Sequence, residues 1–180
     1  TWLEEHLVGG FADLRGRGGV GQEDVAPELL LEWERELASG RWLGIDYPVH
    51  LGGRDATLAD QVIFHQTYVE ARAPGRFPNI GLNLLGPTVV AYGTEAQQER
   101  FVGPILAGTE HWCQGYSEPN AGSDLANVAT RARLDGDRWL ITGQKIWTSL
   151  AQFAQWAFVV CRTDPTTERH AGLSYLLVPM

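Results

Sequence analysis

The sequence predicts an α+β chain with two domains in series, and three observations carry that expectation. Residues up to about 110 show helical periodicity, and the remainder shows period-two patterning. The two kinds of element follow one another instead of alternating. Strand–helix alternation would instead have pointed to a doubly wound sheet. No internal repeat or low-complexity linker divides the chain, and the expected domains are 1–110 and 111–180.

The first helix is expected over Pro27–Ala38. Proline suits the first helical turn, Leu30, Leu31, Glu34 and Leu37 fall near helical spacing, and Ser39-Gly40 supplies a stop. A second helix starts near Thr57, with Leu58, Val62, Phe64-His65 and Tyr68-Val69 marking its apolar face, and runs to the breaker Arg72-Ala73-Pro74-Gly75. The region Ile80–Tyr92 is interrupted by Gly86-Pro87, so a break or kink is expected there. Thr94 and Gln97 form a capping box for a further helix bearing Phe101, Val102 and Ile105, which stops near Ala107-Gly108.

Beyond His111 the period becomes two. Strands are expected over Val128–Leu134, Arg138–Thr142, Trp156–Cys161 and Leu173–Val178. Asp135-Gly136-Asp137 turns the first into the second. Gly143, between strand-like runs, suggests a bulge or tight bend.

Composition narrows the function classes. Lys and Arg total 14 against 22 Asp and Glu, a formal charge of −8, and no basic stripe is visible, which argues against a nucleic-acid partner held by phosphate neutralisation. Cys113 and Cys161 stand singly in apolar surroundings and read as small buried hydrophobes. The five histidines show no metal-ligand spacing, so no metal site is expected. No apolar run could span a bilayer and the N-terminus lacks a signal pattern, which makes the cytoplasm the default location. Thr1 is not an initiator Met, and the chain stops on the apolar run Leu173–Met180. The sequence therefore reads as a piece of something longer.

Two stretches could carry chemistry. The loop within Trp112–Asp124, turning at Pro119-Asn120 and containing Gly122-Ser123, could direct several backbone N–H groups to one side, and Ser117 and Ser123 add hydroxyls. An ordinary surface turn has the same composition, and neither a GxGxxG nor a P-loop signature is present. In Gly143–Ser149, Trp147 is followed by two hydroxyl residues, an arrangement suited to a flat, electron-poor heteroaromatic but also to a strand-end tryptophan in a core. Lys145 could pair with a phosphate, although a solvated lysine fits its position better. No nucleophile–base constellation is present, and Glu4-Glu5 and Asp135/Asp137 read as helix-face and turn residues.

Together the two stretches resemble the acyl-CoA dehydrogenase family, in a form closest to bacterial and especially actinobacterial members. Three features carry the resemblance. They are Tyr116-Ser-Glu-Pro-Asn-Ala-Gly-Ser-Asp124, then Gly143-Gln-Lys-Ile-Trp-Thr-Ser149, and upstream Thr94-Glu-Ala-Gln-Gln-Glu-Arg-Phe101. The likeness also takes in Ile80–Pro87 and covers nearly the whole chain. It implies an all-α N-terminal domain over 1–110 and part of an antiparallel, β-barrel-like middle domain over 111–180, with the C-terminal helical bundle absent.

The resemblance further implies FAD as cofactor, lined by Gln114, Tyr116 and Ser117, with Ser117 at the pyrimidine side of the flavin. Gly122 and Ser123 would lie near the pyrophosphate, Ser123 also near the acyl-CoA thioester, and Trp147, Thr148 and Ser149 beside the isoalloxazine ring. Asn120 stands where glycine is common, and because Asn tolerates left-handed backbone the turn is expected to survive. Ser149 stands where Thr is common and keeps the hydroxyl.

The implied reaction is α,β-dehydrogenation of an acyl-CoA thioester to the trans-2-enoyl-CoA, as in lipid metabolism and fatty acid β-oxidation. A carboxylate removes the α-proton while the β-hydride passes to the flavin, and that base is expected beyond Met180. An electron-transfer flavoprotein or similar acceptor and a homo- or hetero-oligomer such as a tetramer, a dimer of dimers, are the implied partners. Leu82, Asn83 and Leu85 are candidate acyl-lining residues. Two alternatives stay open on the same fold: a flavin-dependent oxidase or monooxygenase, and a non-catalytic FAD-binding subunit of a hetero-oligomer.

Overall fold

The structure is a computed structural model describing every residue except Glu23 and Pro78. It divides into two compact units, Thr1–Glu110 and His111–Met180.

The first unit is helical: α1 (Trp2–His6), α2 (Gly10–Asp13), α3 (Pro27–Ser39), α4 (Leu58–Glu70), α5 (Gly86–Tyr92) and α6 (Glu95–Leu106). α3 buries Leu30, Trp33, Glu34 and Leu37, the one-face spacing of an amphipathic helix. The Trp33 indole N–H donates to the Tyr68 hydroxyl (2.6 Å), which donates to Pro74 O (2.7 Å). The fully buried Glu34 carboxylate accepts from Arg76 Nε (2.8 Å), Arg76 Nη2 (3.0 Å) and the Phe77 N–H (3.0 Å). The expected Thr94–Gln97 capping box opens α6, and a second box, Thr57–Asp60, opens α4.

Three features of this unit differ from expectation. α1 and α2 were not foreseen, each being too short to show a period. α4 does not bury the single face expected of it: Tyr68 is buried, but Leu58 and Val69 are 76% and 73% exposed. At about 100° per residue, Leu58, Val62 and Val69 share one side of the helix, and Phe64 and Tyr68 lie on another roughly 100° or more away. Only the Phe64–Tyr68 side packs, its rings lying against each other and Phe64 stacking on Trp42. At Gly86-Pro87 the helix is not broken. A π-helical turn, Gly81–Leu85, runs directly into α5, and Pro87 occupies the first turn, where its missing N–H is tolerated. Asn79 Oδ1 accepts from the Leu82 N–H (2.9 Å), and the Tyr47 hydroxyl donates to Leu82 O, fixing the π turn at its middle.

The second unit is a five-stranded sheet of β1 (Trp112–Gly115), β2 (Arg131–Asp135), β3 (Arg138–Thr142), β4 (Trp156–Arg162) and β5 (Leu173–Pro179). β4 is central. β5 pairs antiparallel along one edge, from Trp156↔Pro179 to Arg162↔Leu173, while β1 and then the start of β2 lie parallel along the other. The sheet is therefore mixed: antiparallel between β4 and β5 and within the β2–β3 hairpin, parallel where β1 and the start of β2 meet β4. The β2–β3 hairpin closes on Gly136-Asp137, with Gly136 at φ +65°. Ala121, Val128 and Val160 form a buried cluster against which Tyr116, Leu125, Leu173 and Tyr175 pack. Cys113 and Cys161 are buried free thiols. β2 begins at Arg131, not Val128, because the Ala129 and Thr130 N–H groups are turned away to a carboxylate.

Candidate flavin site

From β1 the chain passes through Tyr116 and Ser117 into a tight turn. The Glu118 N–H donates to Ala121 O (2.7 Å) and the Ala121 N–H to Glu118 O (3.1 Å), leaving Pro119-Asn120 at the tip. Asn120 does not have positive φ, so its tolerance of left-handed backbone is not needed. Tyr116 directs its ring inward against Phe158 (centroids 5.5 Å apart) and Tyr175 (6.3 Å), leaving its backbone to face the second stretch.

That second stretch approaches closely. A Cβ on Gly143 would stand 2.2 Å from Thr130 Oγ1, which excludes any side chain there without rearrangement. The Ile146 N–H donates to Ser117 O (2.9 Å). Lys145 is neither solvated nor free for a phosphate. Its side chain is 13% exposed, and its ammonium donates to Glu118 Oε1 (2.8 Å) and Tyr116 O (3.0 Å). A carboxylate as buried as Glu118 needs partners, and the lysine is one of them. The others are the Thr130 N–H at Oε1 (2.9 Å) and the Ala129 N–H at Oε2 (2.6 Å). Burial pushes the Glu118 carboxyl upward, but the hydrogen bonds from Lys145, Thr130 and Ala129 outweigh it and hold it at about 2. Glu118 was missed as a functional candidate because no local spacing links it to a lysine 27 residues away.

Trp147 then adopts φ +56°, a left-handed conformation costly for a bulky L-residue, and its side chain is 80% exposed. It is therefore not the core tryptophan that its spacing also allowed. The Ser149 N–H donates to Trp147 O (2.9 Å), closing a turn that presents Trp147, Thr148 and Ser149 together.

The donor set fits a flavin nucleotide. Among the described residues, the backbone N–H groups of Gly122, Ser123, Trp147 and Thr148 and the hydroxyls of Ser117, Ser123, Thr148 and Ser149 have no protein partner. A Cβ on Gly122 would meet open space, so its backbone is accessible. Unpartnered N–H and hydroxyl donors, those of Trp147–Ser149 beside an exposed indole, suit a ligand that is flat, aromatic and rich in acceptors. Hydrogen bonds bring Tyr116 and Ser117 together with the 145–149 segment. Gly122 and Ser123 lie beyond the turn, and Gln114 lies on β1, half-buried, opposite Phe158. No hydrogen bond among the described residues joins those three to Trp147–Ser149.

In the helical unit, a cavity of about 420 Å³ is lined by Tyr47, Phe64, Phe77, Leu82 and Asn83 among others. Leu85 is fully buried instead of lining it.

Comparison with known proteins agrees with this architecture. The family model "Acyl-CoA dehydrogenase, N-terminal domain" matches residues 19–109, and "Acyl-CoA dehydrogenase, middle domain" matches residues 113–180. The acyl-CoA dehydrogenase IpdE1 of Mycolicibacterium smegmatis is 52% identical over 189 residues, covering 99% of this chain and 48% of that protein. The solved structure titled "Tcur3481-Tcur3483 steroid ACAD" superposes with a TM-score of 0.79 at 36% identity, over 99% of this chain and 44% of that one. A glutaryl-CoA dehydrogenase of Mycobacterium smegmatis, solved in complex with FADH2, superposes with a TM-score of 0.64 at 28% identity, over 83% of this chain and 37% of that one. The chain belongs to the acyl-CoA dehydrogenase family, a family of oxidoreductases. It spans about half the length of the relatives it matches.

Proposed function

We propose that the protein containing this chain is an FAD-dependent acyl-CoA dehydrogenase, and that Gln114, Tyr116, Ser117, Gly122, Ser123 and the Trp147–Ser149 turn hold its cofactor. The observation that carries this reading is the strained, exposed Trp147 flanked by unpartnered donors. Ser117 and the Trp147–Ser149 turn would receive the flavin ring, and the Gly122 and Ser123 N–H groups its pyrophosphate, with Ser123 also near the thioester. Bound there, FAD supplies a two-electron acceptor for the hydride leaving the acyl β-carbon. The chain's own donors orient the ring and favour negative charge on its reduced form.

The α-proton needs a base with a pKa nearer neutrality, and Glu118, held at about 2 with its oxygens engaged, is unsuited to that task. On this reading the base lies beyond Met180, and the site is completed by further residues of the full-length protein and by a neighbouring subunit. Domains 1–110 and 111–180 are then the family's N-terminal helical domain and the first part of its middle domain. Electrons pass onward to an electron-transfer flavoprotein or a similar acceptor. No helix among the described residues is long and apolar enough to cross a membrane, and we assign the protein to the cytoplasm.

Likeness to a structure titled a steroid ACAD supports an acyl group derived from a steroid, with the aromatic-lined cavity of the helical unit as its candidate binding surface. The test is a panel of short, long, branched and steroid-side-chain CoA esters on the full-length protein, read by anaerobic bleaching of the flavin and enoyl-CoA formation. Steroid-side-chain esters are expected to react fastest. Oxygen consumption without enoyl-CoA formation would contradict the dehydrogenase reading.

A further inference from the structure

The two stretches that carry the candidate flavin contacts belong to different parts of the chain, and neither is held by a regular strand at its contact residues. Ser117 follows β1, and Trp147 lies between β3 and β4, outside any ladder. Flexible donors would have to be ordered by the cofactor, and that ordering lowers affinity, whereas donors fixed beforehand avoid the cost.

Three hydrogen bonds bridge the stretches: Ile146 N–H to Ser117 O (2.9 Å), Lys145 Nζ to Tyr116 O (3.0 Å) and Lys145 Nζ to Glu118 Oε1 (2.8 Å). Lys145 makes two of the three. Its anchor, Glu118, is tied in turn to the Ala129 and Thr130 N–H groups that lead into β2. One lysine–carboxylate pair thus joins the turn after β1, the approach to β2 and the segment carrying Trp147. Both side chains are almost wholly buried, at 13% and 6% exposed, so this is no surface ion pair of negligible consequence.

We infer that Glu118 and Lys145 are positioning residues for the cofactor, setting the spacing between Ser117 and the Trp147–Ser149 turn before FAD arrives. Neither touches the flavin. Lys145 acts through the backbone of Tyr116 and through Ile146, its own neighbour, which bonds to Ser117. Glu118 acts by holding the lysine and the β2 approach in one place. The role requires a compact ammonium on a stem of fixed length. A guanidinium keeps the charge but is larger, planar and donates in a fork, so it cannot reproduce both lysine bonds at the same backbone separation.

The inference rests on the flavin reading above, and its test separates the two. In the full-length protein, Lys145→Gln and Lys145→Arg would be compared with the parent, with Tyr68→Phe in the helical unit as a stability control. FAD dissociation constants, the visible flavin band shape and the flavin reduction potential would be measured, alongside the thermal midpoint of each apoprotein. Both lysine variants are expected to weaken FAD binding at least tenfold and to alter band shape and potential, whereas Tyr68→Phe lowers the midpoint and leaves the flavin signals unchanged. If Lys145→Gln does not fold, Lys145→Arg decides alone. FAD affinity, spectrum and potential in Lys145→Arg matching the parent would overturn the positioning role, leaving the pair a stabiliser of the fold only. A parent that binds no FAD would overturn the flavin reading itself, and the positioning role with it.

Discussion

Lys145 Nζ stands 2.8 Å from Glu118 Oε1, joining two loops that lie 27 residues apart in sequence. The ion pair is enclosed, and the carboxylate is matched to three donors, Lys145, Thr130 N–H and Ala129 N–H. Glu118 is therefore a group whose ionised form the fold has been built around.

A pH dependence follows. The Glu118 carboxyl moves from an ordinary value of 4.5 to about 2 in the folded state. A depressed folded pKa contributes stability above the unfolded value and loses it as pH falls through the folded one. The contribution should be fully present above about pH 5 and disappear between about pH 4.5 and about pH 2, at a magnitude on the order of 3 kcal/mol. Denaturant midpoints of the parent and Glu118→Gln over this range should converge as the pH is lowered. A gap that stays constant down to the acid end would count against the ionised, fully bonded carboxylate.

Trp147 should separate stability from function. With φ +56° and 80% of its surface exposed, its side chain contributes little packing and its backbone is strained. Trp147→Gly is expected to leave the thermal stability of the apoprotein unchanged or to raise it by up to about 1 kcal/mol, since glycine adopts this backbone freely. The same variant should bind FAD at least tenfold more weakly. A marked loss of apoprotein stability would mean that the indole packs against something in the free protein.

In the helical unit, Tyr68→Phe removes the hydroxyl that accepts from Trp33 and donates to Pro74 O. Two buried polar groups then lose their partner, which costs about 1–3 kcal/mol each at most. A lowered urea midpoint with an unchanged m-value is the expected signature.

Glu34→Gln is expected to cost about 3 kcal/mol or more, because it leaves the Arg76 charge without its buried counter-ion. Glu34 is fully buried and bonded through both oxygens, and Arg76, 27% exposed, regains only part of the lost partnership from solvent. A loss below about 1 kcal/mol in chemical denaturation would show that Arg76 finds another partner.

What the sequence revealed and what it hid have a physical division. Pro27 opening α3, the Thr94–Gln97 box of α6 and the Gly136-Asp137 hairpin were legible because each is a local bargain between a side chain and its own neighbouring backbone. The parallel pairing of β1 with β4 was not, since a hairpin and a long loop intervene between Gly115 and Trp156. α4 misled because its apolar residues form two stripes, of which only the Phe64–Tyr68 side packs. At the site, hydroxyls and an aromatic residue could be singled out from composition. The left-handed backbone of Trp147 and the Glu118–Lys145 pair could not, because both depend on contacts between distant segments.

The central claim, that Ser117, Gly122, Ser123 and the Trp147–Ser149 turn hold a flavin, is tested most directly by the flavin content and FAD dissociation constant of the purified full-length protein beside its Ser117→Ala/Trp147→Gly double variant. The account predicts a yellow parent with one FAD per chain and a double variant that is folded but largely colourless. A correctly folded parent without flavin, or a double variant that binds FAD as tightly as the parent, would contradict it.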